Sequence, residues 1–111
     1  MRQAGVIAAA CQYALENNIT RLAEDHDNAL HLATGLAALP AIKCDPAAVQ
    51  TNMVFVVFEN AATAKGLVDH LANMGIAVAG GEVMRLVTHM DVDRAAVERL
   101  VDACAQYLRS R

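Results

Sequence analysis

The run Met53-Val54-Phe55-Val56-Val57-Phe58 constrains this chain more than any other stretch. It is six residues of valine, phenylalanine and methionine, too short for an ordinary helix and rich in the residue types that suit a pleated strand. Odd and even positions are both apolar. A strand over Asn52 to Phe58 is therefore expected at the centre of a sheet, with material packed above and below it. Everything else in the chain has to supply that cover.

Helical patterns supply most of it. Gln3 to Asn17 reads as an alanine-rich helix, with Val6, Ile7, Ala10, Tyr13 and Ala14 on one side. Asn17-Asn18 breaks the pattern and offers an N-cap for a second helix, Ile19 to Leu39. Its apolar stripe runs through 19, 22, 26, 29, 30, 33, 36 and 37, which places His26 on the stripe. Pro40 ends it, Ala41 to Cys44 reads as a short strand, and Asp45-Pro46 opens a turn. Asn60 caps a helix over Ala61 to Met74 that turns Ala64, Leu67, Val68 and Leu71 inward, and Gly75 is placed to stop it in the left-handed conformation. Ile76 to Ala79 and Val83 to Thr88 read as two strands joined by a Gly80-Gly81 hairpin turn. In the second strand, Val83, Arg85 and Val87 share one face and Met84, Leu86 and Thr88 the other. Asp93 caps a last helix, Arg94 to Leu108, with Val97, Leu100, Val101, Cys104 and Leu108 inward.

The resulting order is ααββαββα: a small, mostly antiparallel sheet with helices against it, an α+β two-layer fold. The 111 residues suffice for one domain and one core. Hydrophobic residues reach 56%, much of it alanine, and there is no Trp, which favours helices set close on a small sheet. The leading helix pair is long for that sheet, so the first helix is expected to pack partly on something outside the domain. No repeat, low-complexity stretch or linker is visible.

Charge and cysteine usage exclude several classes. A net charge of −3 and a pI near 5.7 leave no nucleic-acid footprint. Val6 to Ala10 is too short and too close to Glu16 for a leader, and no run reaches the length of a membrane span. Cys11, Cys44 and Cys104 are widely spaced and match no zinc pattern, so free thiols in a reducing cytoplasm are expected.

Candidate chemistry concentrates at Arg85. It lies inside a short apolar strand and does not shed its charge by losing a proton, so it needs an anion. A structural carboxylate and a ligand carboxylate both satisfy that need, and the planar fork grips either at two points. Other clusters read more simply. Glu24-Asp25-His26-Asp27 with His31 has a metal-like look, but no third ligand is offered; His26 reads as a packed histidine and the acids as a solvated face. His89 and Asp91 read as turn and cap chemistry, and His70 as a surface or helix-end residue. The thiols have no basic neighbour to activate them. Gly80-Gly81 lacks the rest of a phosphate loop, and the only serine is Ser110.

Three blocks carry a family likeness. The first is Met1-Arg2-Gln3-Ala4-Gly5-Val6-Ile7-Ala8-Ala9-Ala10, continued by Tyr13-Ala14-Leu15-Glu16-Asn17-Asn18 and Arg21-Leu22-Ala23-Glu24-Asp25-His26-Asp27-Asn28-Ala29. The second is Thr51-Asn52-Met53-Val54-Phe55-Val56, and the third Arg85-Leu86-Val87-Thr88-His89 followed by Asp91-Val92. In order and spacing they resemble the low-specificity L-threonine aldolases over nearly the whole chain.

The resemblance is to the C-terminal third or so of such an enzyme, with residues 1–18 as the connecting helix of a single domain, 1–111. It implies a pyridoxal-phosphate (PLP) enzyme of the aspartate-aminotransferase type of fold, a homo-oligomer that cleaves threonine to glycine and acetaldehyde. The Schiff-base lysine belongs to the large domain, and neither Lys43 nor Lys65 matches it. Arg85 matches the arginine that grips the substrate α-carboxylate, and Arg2 matches an arginine of the segment leaving the active-site region, where a contact to the cofactor phosphate or to a neighbouring subunit is the expectation. Such a chain is expected to be inactive alone and to bind no PLP by itself. Two other readings stand beside this one: the small subunit of a split PLP enzyme, and a self-associating interaction module without catalysis.

Overall fold

In the computed structural model, which describes residues 2–111, the central run does form the middle of a sheet. Strand β2, Met53–Phe58, lies between β1, Ile42–Lys43, and β3, Val83–Val87, and both pairings are antiparallel. The register sets Ile42 opposite Phe58 and Lys43 opposite Val57 on one side. On the other it sets Met53 opposite Val87, Phe55 opposite Arg85 and Val57 opposite Val83. A short 3-10 turn, Pro46–Ala48, links β1 to β2; its N-cap Asp45 accepts a hydrogen bond from the Ala47 amide.

Four helices complete the fold: α1, Ala4–Asn17; α2, Leu22–Ala37; α3, Ala61–Asn73; and α4, Arg94–Ser110. α4 packs against α2 and α3, and these two pack onto the sheet. The core lies between the layers. Val54, Val56, Phe58 and Met84 from the sheet meet Ala29, Leu32, Ala33, Leu36, Leu67, Leu71, Val97 and Cys104 from the helices. The α+β two-layer architecture is the expected one.

Local signals act where their chemistry requires. Asn60 accepts from the Thr63 amide and caps α3, and Asp93 accepts from the Ala96 amide and caps α4. Gly75, at φ 76°, closes α3: its amide bonds to the Ala72 carbonyl and the Ile76 amide to the Leu71 carbonyl, which satisfies two orphan acceptors. The Met74 carbonyl receives the Arg99 guanidinium instead.

Four expectations need correction. β2 is covered on one face only: Val54, Val56 and Phe58 are buried, whereas Met53, Phe55 and Val57 are exposed. Ile76 to Ala79 is extended but joins no sheet; Ile76 and Val78 turn inward against the core, so there is no hairpin across Gly80-Gly81 and β3 pairs with β2 instead. The buried face of α2 is Asp25, Asn28, Ala29, Leu32, Ala33 and Leu36; Ile19, Leu22, His26 and Leu30 point outward. Asn18 closes α1 rather than opening α2, whose N-cap position is Arg21 after a turn over residues 19–21.

α1 stands apart from the packed layers, with no buried residue along its length. Val6, Ile7, Tyr13 and Leu15 are all more than half exposed. The chain consequently extends over 52 × 29 × 22 Å with a radius of gyration of 16.4 Å, against about 13 Å for a compact domain of this size.

Candidate functional site

The uncovered face of β2 and β3 carries six side chains: Met53, Phe55, Val57, Val83, Arg85 and Val87. Five are apolar, and Arg85 is the sole charge among them. Expected on a half-buried strand in need of an anion, Arg85 is instead exposed, and no carboxylate of the described residues lies within ion-pair distance of it. An internal salt bridge therefore does not account for an arginine in this strand. Beside it, toward β1, the same face falls into an open concavity of about 530 Å³ lined by Lys43, Cys44, Val49, Met53, Phe55 and Val57.

The strand that carries Arg85 is anchored at its C-terminal end. Thr88 is 1% exposed; its hydroxyl donates to the Asp25 carbonyl oxygen at 2.7 Å, and its amide donates to the Asn52 carbonyl oxygen at 2.9 Å. Asn52 returns the bond, donating from Nδ2 to the Thr88 carbonyl at 2.8 Å. Asn28 donates to the Val92 carbonyl just beyond the turn. These bonds tie the end of β3 to the start of α2.

The acidic cluster on α2 is part of this anchor. Asp25, expected in solvent with its neighbours, is 3% exposed and receives both terminal nitrogens of Arg21, at 3.0 and 2.8 Å. That hydrogen bond raises the Arg21 pKa further above its usual value. A buried carboxylate gripped at two points by an arginine has little capacity left for a metal. His31 faces Glu98 on α4 at 3.6 Å, and His26 is exposed. Among the described residues no three His, Cys, Asp or Glu side chains are grouped to hold a metal ion.

The remaining candidates do not converge on Arg85. The His89 Nδ1 accepts the Asp91 amide at 3.2 Å, with both side chains in solvent, which is turn chemistry as expected. Arg2 is exposed ahead of α1 and enters no ion pair with a described residue. His70 is not a simple surface residue: its ring lies 5.5 Å from that of Tyr107, and Nε2 is buried without a partner among the described residues. Burial raises the Cys44 thiol, with Asp45 adding to it, and pushes Cys104 up to about 12, so neither is primed as a nucleophile.

Comparison with known proteins decides the family. The family model of the beta-eliminating lyases matches residues 1–61, from the start of the chain through all of β2. The chain belongs to the beta-eliminating lyase family. Among the chain's relatives are the proteins named "Low specificity L-threonine aldolase" of Escherichia coli O157:H7 and strain K12. Each is 42% identical over 108 residues, which is 96% of this chain and 30% of the relative. "Low-specificity L-threonine aldolase 1" of Arabidopsis thaliana is 38% identical over 101 residues, 87% of this chain and 28% of the relative. The chain thus spans about 30% of the length of the curated relatives it matches. Among the described residues no helix is long and apolar enough to cross a membrane.

Proposed function

We propose that this beta-eliminating lyase segment is the small C-terminal domain, 1–111, of a cytoplasmic low-specificity L-threonine aldolase, in which Arg85 holds the α-carboxylate of the amino-acid substrate. The observation that carries the reading is the guanidinium of Arg85, without an ion-pair partner among the described residues, on an apolar, uncovered sheet face. Such a group binds a carboxylate at two points and so fixes the orientation of the substrate about its Cα.

The chain does not by itself fit PLP. Lys65 is bound to Asp69 at 2.7 Å on the outside of α3, an interaction that raises its pKa and keeps it a poor nucleophile. Lys43 stands exposed on the two-residue strand β1, one strand beyond β2 from Arg85. Neither replaces the Schiff-base lysine that the resemblance assigns to the large domain. PLP chemistry thus belongs to a partner segment, and this chain contributes the carboxylate clamp. Arg2 is placed near the cofactor phosphate or a neighbouring subunit in the assembled enzyme.

A chimera tests this. The matching part of the E. coli relative is replaced by residues 1–111 of this chain, and cleavage of L-threonine is followed. The chimera is expected to release glycine and acetaldehyde, and the 111-residue chain alone to release neither. Arg85→Ala is expected to lower kcat/KM of the chimera roughly 10- to 100-fold, the size of a charge-assisted two-point hydrogen bond. An Arg85→Ala chimera as active as its parent would overturn the assignment.

A further inference from the structure

The register of the sheet puts one residue in a special relation to Arg85. Thr88 donates its amide to the Asn52 carbonyl, and Phe58 donates its amide to the Glu82 carbonyl. The directly opposed pairs 52–88 and 58–82 are therefore the hydrogen-bonded ones. Bonded and non-bonded pairs alternate along an antiparallel ladder. Phe55 and Arg85, directly opposed, form a non-bonded pair, the kind in which opposed side chains come closest. Both project from the uncovered face, where Phe55 is 57% exposed. The next pairs on that face, Met53 with Val87 and Val57 with Val83, are apolar.

We infer that Phe55 is a positioning residue for the carboxylate at Arg85: its ring forms the wall that keeps water from the guanidinium–carboxylate pair. A pair of opposite charges in open water attracts several times less strongly than the same pair beside a low-dielectric surface. Arg85 has Phe55 directly across the ladder and Val83 and Val87 on either side along its own strand. A core role does not explain Phe55, because its neighbours Val54 and Val56 point into the core while it points away. The inference rests on the reading of Arg85 as the carboxylate clamp.

The test uses the active chimera with Phe55→Ala, Phe55→Leu and Arg85→Lys, measuring KM and kcat for L-threonine separately alongside the melting temperature. Phe55→Ala is expected to raise KM about tenfold, as for a charge pair left more open to water, with kcat and melting temperature little changed. Phe55→Leu, which keeps an apolar wall and loses the ring, is expected to recover part of that loss. If Arg85→Lys raises KM and Phe55→Ala does not, the inference is overturned and the clamp stands. If neither variant moves KM, the clamp is overturned as well. If Phe55→Ala lowers the melting temperature with KM unchanged, Phe55 is an interface residue and the inference fails. Should Phe55→Ala fail to assemble, Phe55→Leu decides: an unaltered KM with leucine at this position overturns the inference.

Discussion

At the scale of single residues, burial decides what each group does. Cys104 sits between α4 and the core, and burial pushes its thiol up to about 12. Above pH 9 the unfolded chain loses this proton while the folded chain keeps it, so unfolding is favoured as the pH rises. The folded state is expected to lose up to about 1.4 kcal/mol per pH unit from near pH 9 upward through this one group. Denaturant titrations between pH 8 and 10.5 check this: Cys104→Ala should flatten the loss, and an unchanged slope would assign it to other groups. The residue scale is also where the sequence is read best and worst. Arg85 stands out as a lone cation in an apolar strand, and its need for an anion is plain without a structure. That Phe55 is its cross-strand partner is not legible, because the two lie 30 positions apart (85 − 55) and a helix intervenes. Asp25 looks like one acid among several; its burial depends on which way α2 is rotated.

At the scale of elements, the caps and stops are legible and the faces are not. Asn60, Asp93 and Gly75 act through bonds to amides and carbonyls only a few positions away, so short sequence windows contain all their physics. The apolar faces of α2 and β2 are ambiguous, since each element is apolar on more sides than this domain covers. α2 buries Ala29, Leu32, Ala33 and Leu36 and leaves Leu22 and Leu30 to the outside. The expected strand over Ile76 to Ala79 fails for a related reason: alternation puts Ile76 and Val78 against the core without any ladder being formed. α2 and α4 approach closely at Gly35, where an added Cβ would lie 2.9 and 3.0 Å from the two methyls of Val101 on α4. A valine in a helix has one strongly preferred rotamer and does not swing aside. Alanine in place of glycine gains up to about 1 kcal/mol of helix propensity, whereas overpacking costs typically about 1–3 kcal/mol. Gly35→Ala is therefore expected to destabilise the chain, and in a Val101→Ala background the same substitution is expected to stabilise it. Chemical denaturation of the four proteins of this double-mutant cycle measures both signs.

At the scale of the whole molecule, the chain has more apolar surface than it buries. α1 projects from the layers with Val6, Ile7, Tyr13 and Leu15 in solvent, and an open apolar hollow between Leu15, Ile19 and Leu22 continues that surface onto α2. A lone helix of 14 residues is marginal in water, so α1 calls for a partner. The chain is expected to form a dimer or higher oligomer in solution, and light scattering across a dilution series measures it; a constant monomer mass would count against this assembly. The sheet has a corresponding incompleteness at its edge. Among the described residues β3 has a neighbour only on the β2 side, and Arg85 belongs to a non-bonded pair. The peptide N–H and C=O of Arg85 accordingly point away from β2, along the free edge of the sheet. The arginine thus offers a main-chain donor and acceptor on the same rim as its guanidinium. A strand added to that edge would have to pair with the peptide group of Arg85 itself. Extension of the sheet and the proposed capture of a carboxylate would therefore be neighbours in space, sharing a single residue.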